Sequence, residues 1–240
     1  MRSLPDAARF ALWFTAWCVG ESSLDETRDA IVAGDAAHDV AGLAVETSPL
    51  ILALGQLRAT GATGAGIALP VAGDPLGLAG PATYNALALE YGEAVALTGV
   101  DLGLVPVRAG AGVVWQAVPA ASVRQVPDLS EADQLLRRAV VLVADDLAEL
   151  DIARWRPEVA DELVALRRPV DLALPPGTSE RASRMLGLAL RCRTIVELAL
   201  EDDGAAVSSH EAVRRRDALL PLDHAARRAV VAACSYSRER

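Results

Sequence analysis

Hydrophobic residues near the N-terminus recur at the spacing of an amphipathic helix. In the segment RFALWFTAWCVG, large aromatic residues stand at positions i, i+3, i+4 and i+7, which places on one helical stripe Phe10, Trp13, Phe14 and Trp17. Ser3 is a candidate N-cap, Pro5 suits a first turn, and Gly20 is a candidate stop. We therefore predict a helix over residues 4–19 whose aromatic stripe is an anchor in the core or at an interface.

Two further helices follow from their start and stop signals. Ser23 and Glu26 have the spacing of a capping box and predict a helix over residues 24–33. Ser48, followed by proline, predicts the start of a third helix that ends near Gly61.

The pattern then changes to short apolar runs separated by turn residues. Residues 61–112 hold eleven of the eighteen glycines and one basic residue. Four runs predict strands: GIALPV, EAVALTGV, LGLVPVR and GVVWQAV. Pro81 and Gly92 bracket a predicted helix between the first two runs, and RAGAG predicts a hairpin before the last. We predict a small, glycine-rich, mostly antiparallel sheet over about residues 62–120, covered by helices.

After Pro127 the hydrophobic period is helical to the end of the chain. Ser130 is a candidate cap, and five segments predict helices: residues 131–150, 157–168, 179–203, 209–220 and 222–235. One short strand is predicted at 170–174. The fold class is therefore α+β, with a sheet-containing region over residues 1–125 and a helical region over 126–240. We expect these to form one compact unit rather than two independent domains.

Composition argues against several classes of partner and of catalytic chemistry. The chain is 52% hydrophobic, which is typical of a folded protein, and its net charge of −9 argues against a nucleic-acid partner. All 23 basic residues are arginine, which points to a GC-rich bacterial genome. The absence of lysine excludes P-loop, Schiff-base and kinase-type chemistry, because each needs an amine on a flexible stem.

Cysteine usage and the N-terminal pattern predict a cytoplasmic location. The three cysteines are odd in number and far apart, so we expect neither a disulfide framework nor structural zinc. The apolar run after Arg9 is shorter than the ~20 residues that span a bilayer. Asp6 precedes that run, where a signal peptide would carry basic residues. We therefore predict no membrane association.

The segment GDPLGLAGP and the helix after it are a candidate ligand site. Its glycines would let backbone N–H groups approach a ligand, and the candidate ligand-binding residues are Gly73, Asp74, Gly77, Gly80, Tyr84 and Asn85. The alternative is a loop whose glycines serve positive φ angles and a partly buried tyrosine whose hydroxyl contacts water.

Two acidic clusters are candidate metal sites. Asp145, Asp146 and Glu149 lie near the end of a predicted helix, where two carboxylates on one face could hold a divalent cation. Alternatively, neighbouring arginines rather than a metal balance these negative charges at the end of the helix. Asp35, with His38 and Asp39, would form a half-site if that segment were helical; solvated helix-end residues are the alternative.

Nucleophilic catalysis has one candidate, Cys192, which lies between two arginines. Its apolar neighbours at helical spacing favour a buried, inert thiol instead.

Two functional hypotheses remain open at this point. The first is a non-catalytic binding or assembly module that self-associates, or binds a protein partner, through apolar helices. The second is a small-molecule binding protein, or a carboxylate- or metal-dependent enzyme, with a site where the sheet meets the helices. No cofactor is indicated apart from a possible divalent metal. The sequence decides neither whether the protein is an enzyme nor its oligomeric state.

Overall fold

The computed structural model describes residues 4–121, 125–149, 172–201 and 209–235. The chain folds into two compact units. The first, here called the sheet unit, contains residues 4–121, 125–126, 173–179 and 234–235. The second, the helical unit, contains residues 127–149, 172, 180–201 and 209–233.

The sheet unit begins with two helices, continues with helices and strands interspersed, and ends with three consecutive strands. Its elements are α1 (Asp6–Cys18), α2 (Leu24–Val32), β1 (His38–Ala41), β2 (Ser48–Pro49), α3 (Leu50–Ala59), β3 (Gly64–Ala68), α4 (Ala82–Tyr91), β4 (Ala94–Thr98), β5 (Leu102–Ala109) and β6 (Gly112–Pro119).

The strands form one mixed sheet in the order β2-β1-β6-β5-β4-β3. Neighbouring strands are antiparallel except β1 and β6, which are parallel. The predicted α+β fold with a mostly antiparallel sheet and a helical C-terminal half is confirmed. The predicted limits of the sheet were too narrow, because β1 and β2 precede residue 62. Both strands are too short to show a period of two in the sequence.

Each face of the sheet packs against different helices. On one face, Trp115, Val95 and Ile67 are fully buried on the side where α1 contacts the sheet. On the other face, Tyr84 of α4 packs in a buried cluster with Val105 and small residues of β3 and β4. Successive strand residues point to opposite faces, so β3 and β4 each supply large residues to one face and small residues to the face on which Tyr84 packs.

Local signals set the ends of the helices in the sheet unit. The capping box of Ser23 and Glu26 forms as predicted, and Gly92 ends α4 in the left-handed conformation with φ +76°. Helix α1 begins after Pro5, which caps it without a side-chain hydrogen bond. Ser3, the predicted cap, lies outside the described residues.

The helical unit contains α5 (Leu129–Glu149), α6 (Glu180–Glu201) and α7 (Ser209–Cys234, whose last residue belongs to the sheet unit). The predicted cap of α5 was wrong. The carboxylate of Asp128 accepts hydrogen bonds from the backbone N–H groups of Ser130 and Glu131, at 2.8 and 3.0 Å. An aspartate one position before the helix therefore satisfies N–H groups that were assigned to Ser130.

The two helices predicted at 209–220 and 222–235 are one continuous helix, α7, with Pro221 inside it. A proline in a helix interior costs about 3 kcal/mol, because it lacks an N–H and its ring crowds the preceding turn. Leu219 and Leu222, on either side of it, are buried, as are most residues from Ala225 to the end of the helix. Burial of the helix on both sides of the proline offsets that cost.

The strand predicted at 170–174 is wrong where the structure describes it, since Leu172–Leu174 contains no strand. The segment Ala173–Ser179 instead belongs to the sheet unit. The carbonyl of Ala173 accepts a hydrogen bond from the indole N–H of Trp13, at 3.2 Å. Thr178 closes a turn by donating its hydroxyl to the carbonyl of Pro175, at 2.7 Å.

Candidate functional site

The most concentrated polar chemistry of the sheet unit is a cluster where the start of α1 meets β1, β5 and β6. It is here called the His38 cluster, and its members are Asp6 and Arg9 of α1, Asp35 before β1, His38 of β1, Arg108 of β5 and Trp115 of β6. Asp6, Arg9, His38 and Trp115 are buried, Asp35 is mostly buried, and Arg108 reaches the cluster from the surface.

Two arginines and two aspartates form a closed set of ion pairs in this cluster. Arg9 donates to both carboxylates, to Asp6 and, at 3.1 Å, to Oδ2 of Asp35. Arg108 also bridges them, with Nη2 at 2.8 Å from Asp6 Oδ2 and Nη1 at 2.6 Å from Asp35 Oδ1. The formal charges of these four side chains cancel, which is how proteins accommodate buried ions.

The ring of His38 lies between an acceptor and a donor. Its Nε2 is 2.9 Å from Asp35 Oδ2, and its Nδ1 is 3.2 Å from the indole nitrogen of Trp115. Because an indole N–H can only donate, Nδ1 must accept, and the neutral ring therefore carries its proton on Nε2 and donates it to Asp35. Burial lowers the pKa of His38, against the hydrogen bond to Asp35, which raises it.

Asp35 is held in its ionised form. Burial by itself would raise the pKa of Asp35, but hydrogen bonds from His38, Arg108 and Arg9 outweigh that effect and lower it to about 2. The same contact with Asp35 raises the pKa of the Arg108 guanidinium. At neutral pH both groups are therefore charged and paired.

This arrangement is suited to joining secondary-structure elements rather than to catalysis. A general base needs a free nitrogen or oxygen within reach of a substrate, and both ring nitrogens of His38 have protein partners. Asp35 has hydrogen bonds on both oxygens. In the part of the chain that the structure describes, no group of three His, Cys, Asp or Glu side chains could hold a metal ion.

The sequence identified part of this cluster for the wrong reason. Asp35 and His38 do meet, but on a loop and a strand rather than on one helical face. Asp39 cannot join them as in the predicted half-site, because successive strand residues point to opposite faces. Arg9 and Arg108 gave no signal in the sequence, since they meet Asp35 only through the fold.

The aromatic stripe of α1 packs inside the sheet unit. Phe10 and Phe14 are fully buried and stack with ring centroids 5.4 Å apart, and Phe10 lies 5.0 Å from Trp115. Trp13 and Trp17 are half-buried; Trp17 lies under the guanidinium of Arg58 at 4.6 Å. The two phenylalanines therefore have no surface to offer a partner.

The polar groups of the predicted ligand loop are used within the chain. Asp74 and Val71 exchange backbone hydrogen bonds in a turn, with Gly73 between them at φ +84°. Gly77, buried, lies against β3.

Two of the three side chains assigned to that site, those of Tyr84 and Asn85, form hydrogen bonds inside the protein. Tyr84 is fully buried, and its hydroxyl donates to the carbonyl of Val95 at 3.1 Å. Asn85 Oδ1 accepts from the N–H of Gly80 at 3.0 Å. Ligand binding by these residues stays a prediction.

The remaining sequence candidates are an acidic cluster and a thiol. The side chains of Asp145, Asp146 and Glu149 lie outside the described part of the structure, so their metal site also stays a prediction. Cys192 is buried, and burial raises the pKa of its thiol to about 11. A thiol with so high a pKa is protonated at neutral pH and is a poor nucleophile.

Comparison with protein families assigns both halves of the chain. The N-terminal domain of Rv1486c-like protein matches residues 7–130, and its C-terminal domain matches residues 130–231. The chain belongs to the Rv1486c-like protein family. In this family member, the border between the two matches falls in the first turn of α5. No curated protein and no solved structure matches the chain.

Among the described helices, none is long and apolar enough to cross a bilayer.

Proposed function

We propose that this Rv1486c-like protein is a non-catalytic assembly module that self-associates through the outer face of α5. The observation that carries the proposal is a set of large apolar side chains on that face: Leu135, Val141 and Leu142, which are 43%, 63% and 63% exposed. Exposed apolar side chains that lie together on one surface mark sites of protein–protein contact.

The opposite face of α5 is buried within the helical unit. Ala132, Leu136, Ala139 and Val143 recur at helical spacing and are all buried. The exposed residues are therefore additional to those that the fold requires. Arg138 follows Leu135 by three positions and is exposed, so the outer face combines apolar side chains with a cation that can remain hydrated at a rim.

The polar chemistry supports the same proposal. The His38 cluster has its acids, bases and cations paired with one another, and Cys192 is a buried, protonated thiol. These groups support a structural role better than a catalytic one.

Light scattering on the purified full chain tests self-association. The monomer mass is 25.1 kDa, and we expect the wild-type protein to exceed it and to approach it on dilution. The double variant Val141→Gln, Leu142→Gln removes most of the apolar surface from the outer face. We expect this variant to have the monomer mass at concentrations where the wild type is associated.

The matched control is Leu52→Gln in α3, since Leu52 is 65% exposed but lies in the sheet unit. This control should keep the wild-type mass. A wild-type protein whose mass stays at 25.1 kDa over the whole concentration range would contradict the proposal. An associated double variant would exclude the outer face of α5 as the contact.

We also propose that the protein resides in the cytoplasm. Cys18, Cys192 and Cys234 are free thiols, which suits a reducing compartment. Fractionation of cells that produce the natural protein tests this, and recovery in an extracellular fraction would contradict it.

A further inference from the structure

The two hydrogen bonds of His38 can be made together only by the neutral ring. Nε2 donates to Asp35 while Nδ1 accepts from Trp115. The side chain of His38 has no solvent exposure, and Trp115 is fully buried, so the hydrogen bond between them lies in the interior of the folded protein. Of the two bonds, the one from Trp115 depends on Nδ1 remaining unprotonated, whereas Nε2 donates to Asp35 in either protonation state of the ring.

Proton uptake at Nδ1 would place two donors face to face. The protonated ring has an N–H at both nitrogens, and the indole of Trp115 has only its N–H to offer. The 3.2 Å contact then changes from a hydrogen bond to a repulsion, and a buried indole N–H loses its acceptor. No bond other than hydrogen bonds breaks, and the proton comes from solvent.

The carboxylates that act directly on His38 already have positively charged partners. The charged side chains that act on it are Asp6 and Arg9 from α1 and Asp35 from the loop before β1. Arg108 from β5 binds both aspartates, and Glu93, which precedes β4, acts on Arg108. The two aspartates are already shared by the two arginines. Glu93 accepts a hydrogen bond from the N–H of Ala7 at 2.8 Å, where it faces the positive end of α1.

We propose that His38 is a proton-operated clasp: one proton taken up at Nδ1 expels the Trp115 indole and loosens the junction of α1, β1 and β6. The elements are joined there directly. Trp115 pairs with Val40 across the β1–β6 ladder and packs on Phe10 of α1. Burial lowers the pKa of His38, so the clasp opens at a pH below the ordinary pKa of histidine. The clasp does not require self-association through α5.

Nuclear magnetic resonance of the full chain, with ¹⁵N in the tryptophan side chains, reads the clasp directly. Between about pH 8 and about pH 4, we expect the indole N–H signal of Trp115 to shift. The ring proton of His38 should titrate with the same midpoint, below 6.5. Trp115→Phe assigns the indole signal by removing it.

Two histidine variants separate the clasp from general effects of acid. In His38→Gln the amide can accept and donate but does not titrate, so the Trp115 signal should lose its pH dependence. His224→Gln changes the exposed histidine of α7 and should leave the Trp115 titration unchanged.

Three results would overturn the clasp. The first is a Trp115 signal that is constant over the pH range, and the second is one that titrates equally in His38→Gln. The third concerns Trp115→Phe, which removes the opposing donor but keeps an aromatic ring. The pKa of His38, read from its own ring proton, must rise in this variant, and an unchanged value contradicts the proposal even where His38→Gln does not fold.

Discussion

Gly77 has two separate reasons to lack a side chain. Its φ is +81°, a conformation that costs other residues about 1–2 kcal/mol. A Cβ at this position would also lie 2.6 Å from the carbonyl oxygen of Ile67 and 2.8 Å from Cα of Ala68. Both contacts are to the backbone of β3, which cannot move without disturbing the sheet.

Alanine substitutions in the loop separate these two reasons. Gly73 shares the positive φ, at +84°, but a Cβ there meets nothing within 4 Å. We expect Gly73→Ala to lower the free energy of unfolding by about 1 kcal/mol through backbone strain alone. Gly77→Ala should lower it by about 2–5 kcal/mol, because overpacking against β3 adds about 1–3 kcal/mol. Urea denaturation measures both; equal losses would contradict a packing role for Gly77.

Among secondary-structure elements, the edge strand β3 depends on a side chain of a helix. The N–H of Ala65 points away from β4 and donates to the hydroxyl of Thr15 in α1 at 3.0 Å. The same hydroxyl donates to the carbonyl of Ala65 at 3.3 Å. The N–H of Ile67 donates to the hydroxyl of Ser235 at 3.0 Å. Side-chain hydroxyls therefore replace the strand that an open edge would otherwise recruit.

Thr15→Val keeps the shape of the side chain and removes its hydroxyl. We expect a loss of about 1–3 kcal/mol in unfolding free energy, because a buried backbone N–H is left without a partner. Hydrogen exchange of the Ala65 amide should accelerate more than exchange in β5. Thr98→Val is the control, since Thr98 is exposed at the end of β4, and it should change both measurements little. Unchanged protection of Ala65 in Thr15→Val would contradict the role of the hydroxyl.

Elements with local signals could be predicted from the sequence. Ser23 and Glu26 formed the predicted box, and Gly92 adopted the left-handed end of α4, because these interactions lie within one turn of chain. The start of α5 was misassigned by two residues, since Asp128 and Ser130 are both good caps. β1 was missed because four residues do not establish a period, and its stability comes from pairing with distant β6.

The candidate site was only partly predictable, because its chemistry depends on contacts that are remote in sequence. Asp35 and His38 attracted attention as neighbours, but the tautomer of His38 is set by Trp115 and its low pKa by burial. The low pKa of Asp35 comes from hydrogen bonds that His38, Arg108 and Arg9 donate to it. A sequence shows residue types and spacing. It does not show that both nitrogens of His38 have hydrogen-bond partners within the protein.

At the scale of the whole molecule, the His38 cluster predicts how folding stability depends on pH. The folded-state pKa of His38 is below 6.5, so between these two values the unfolded chain binds more protons. Stability is therefore complete above about pH 6.5 and falls as the pH decreases through the folded-state pKa of His38. Asp35 has its pKa lowered from 3.8 to about 2, so its contribution is lost in a second step as the pH falls through that range.

Thermal unfolding of the full chain at a series of pH values checks both steps. We expect the melting temperature to be nearly constant from about pH 8 to about pH 6.5 and to decrease below that.

In His38→Gln the first decrease should vanish while the acid step of Asp35 remains, because Arg9 and Arg108 still bind that carboxylate. In Asp35→Asn the acid step should diminish, and the protein should be less stable at neutral pH, since both arginines lose a partner. A melting temperature that rises as the pH falls below about 6.5 would contradict a neutral, buried His38, because it would require the folded protein to bind more protons than the unfolded chain.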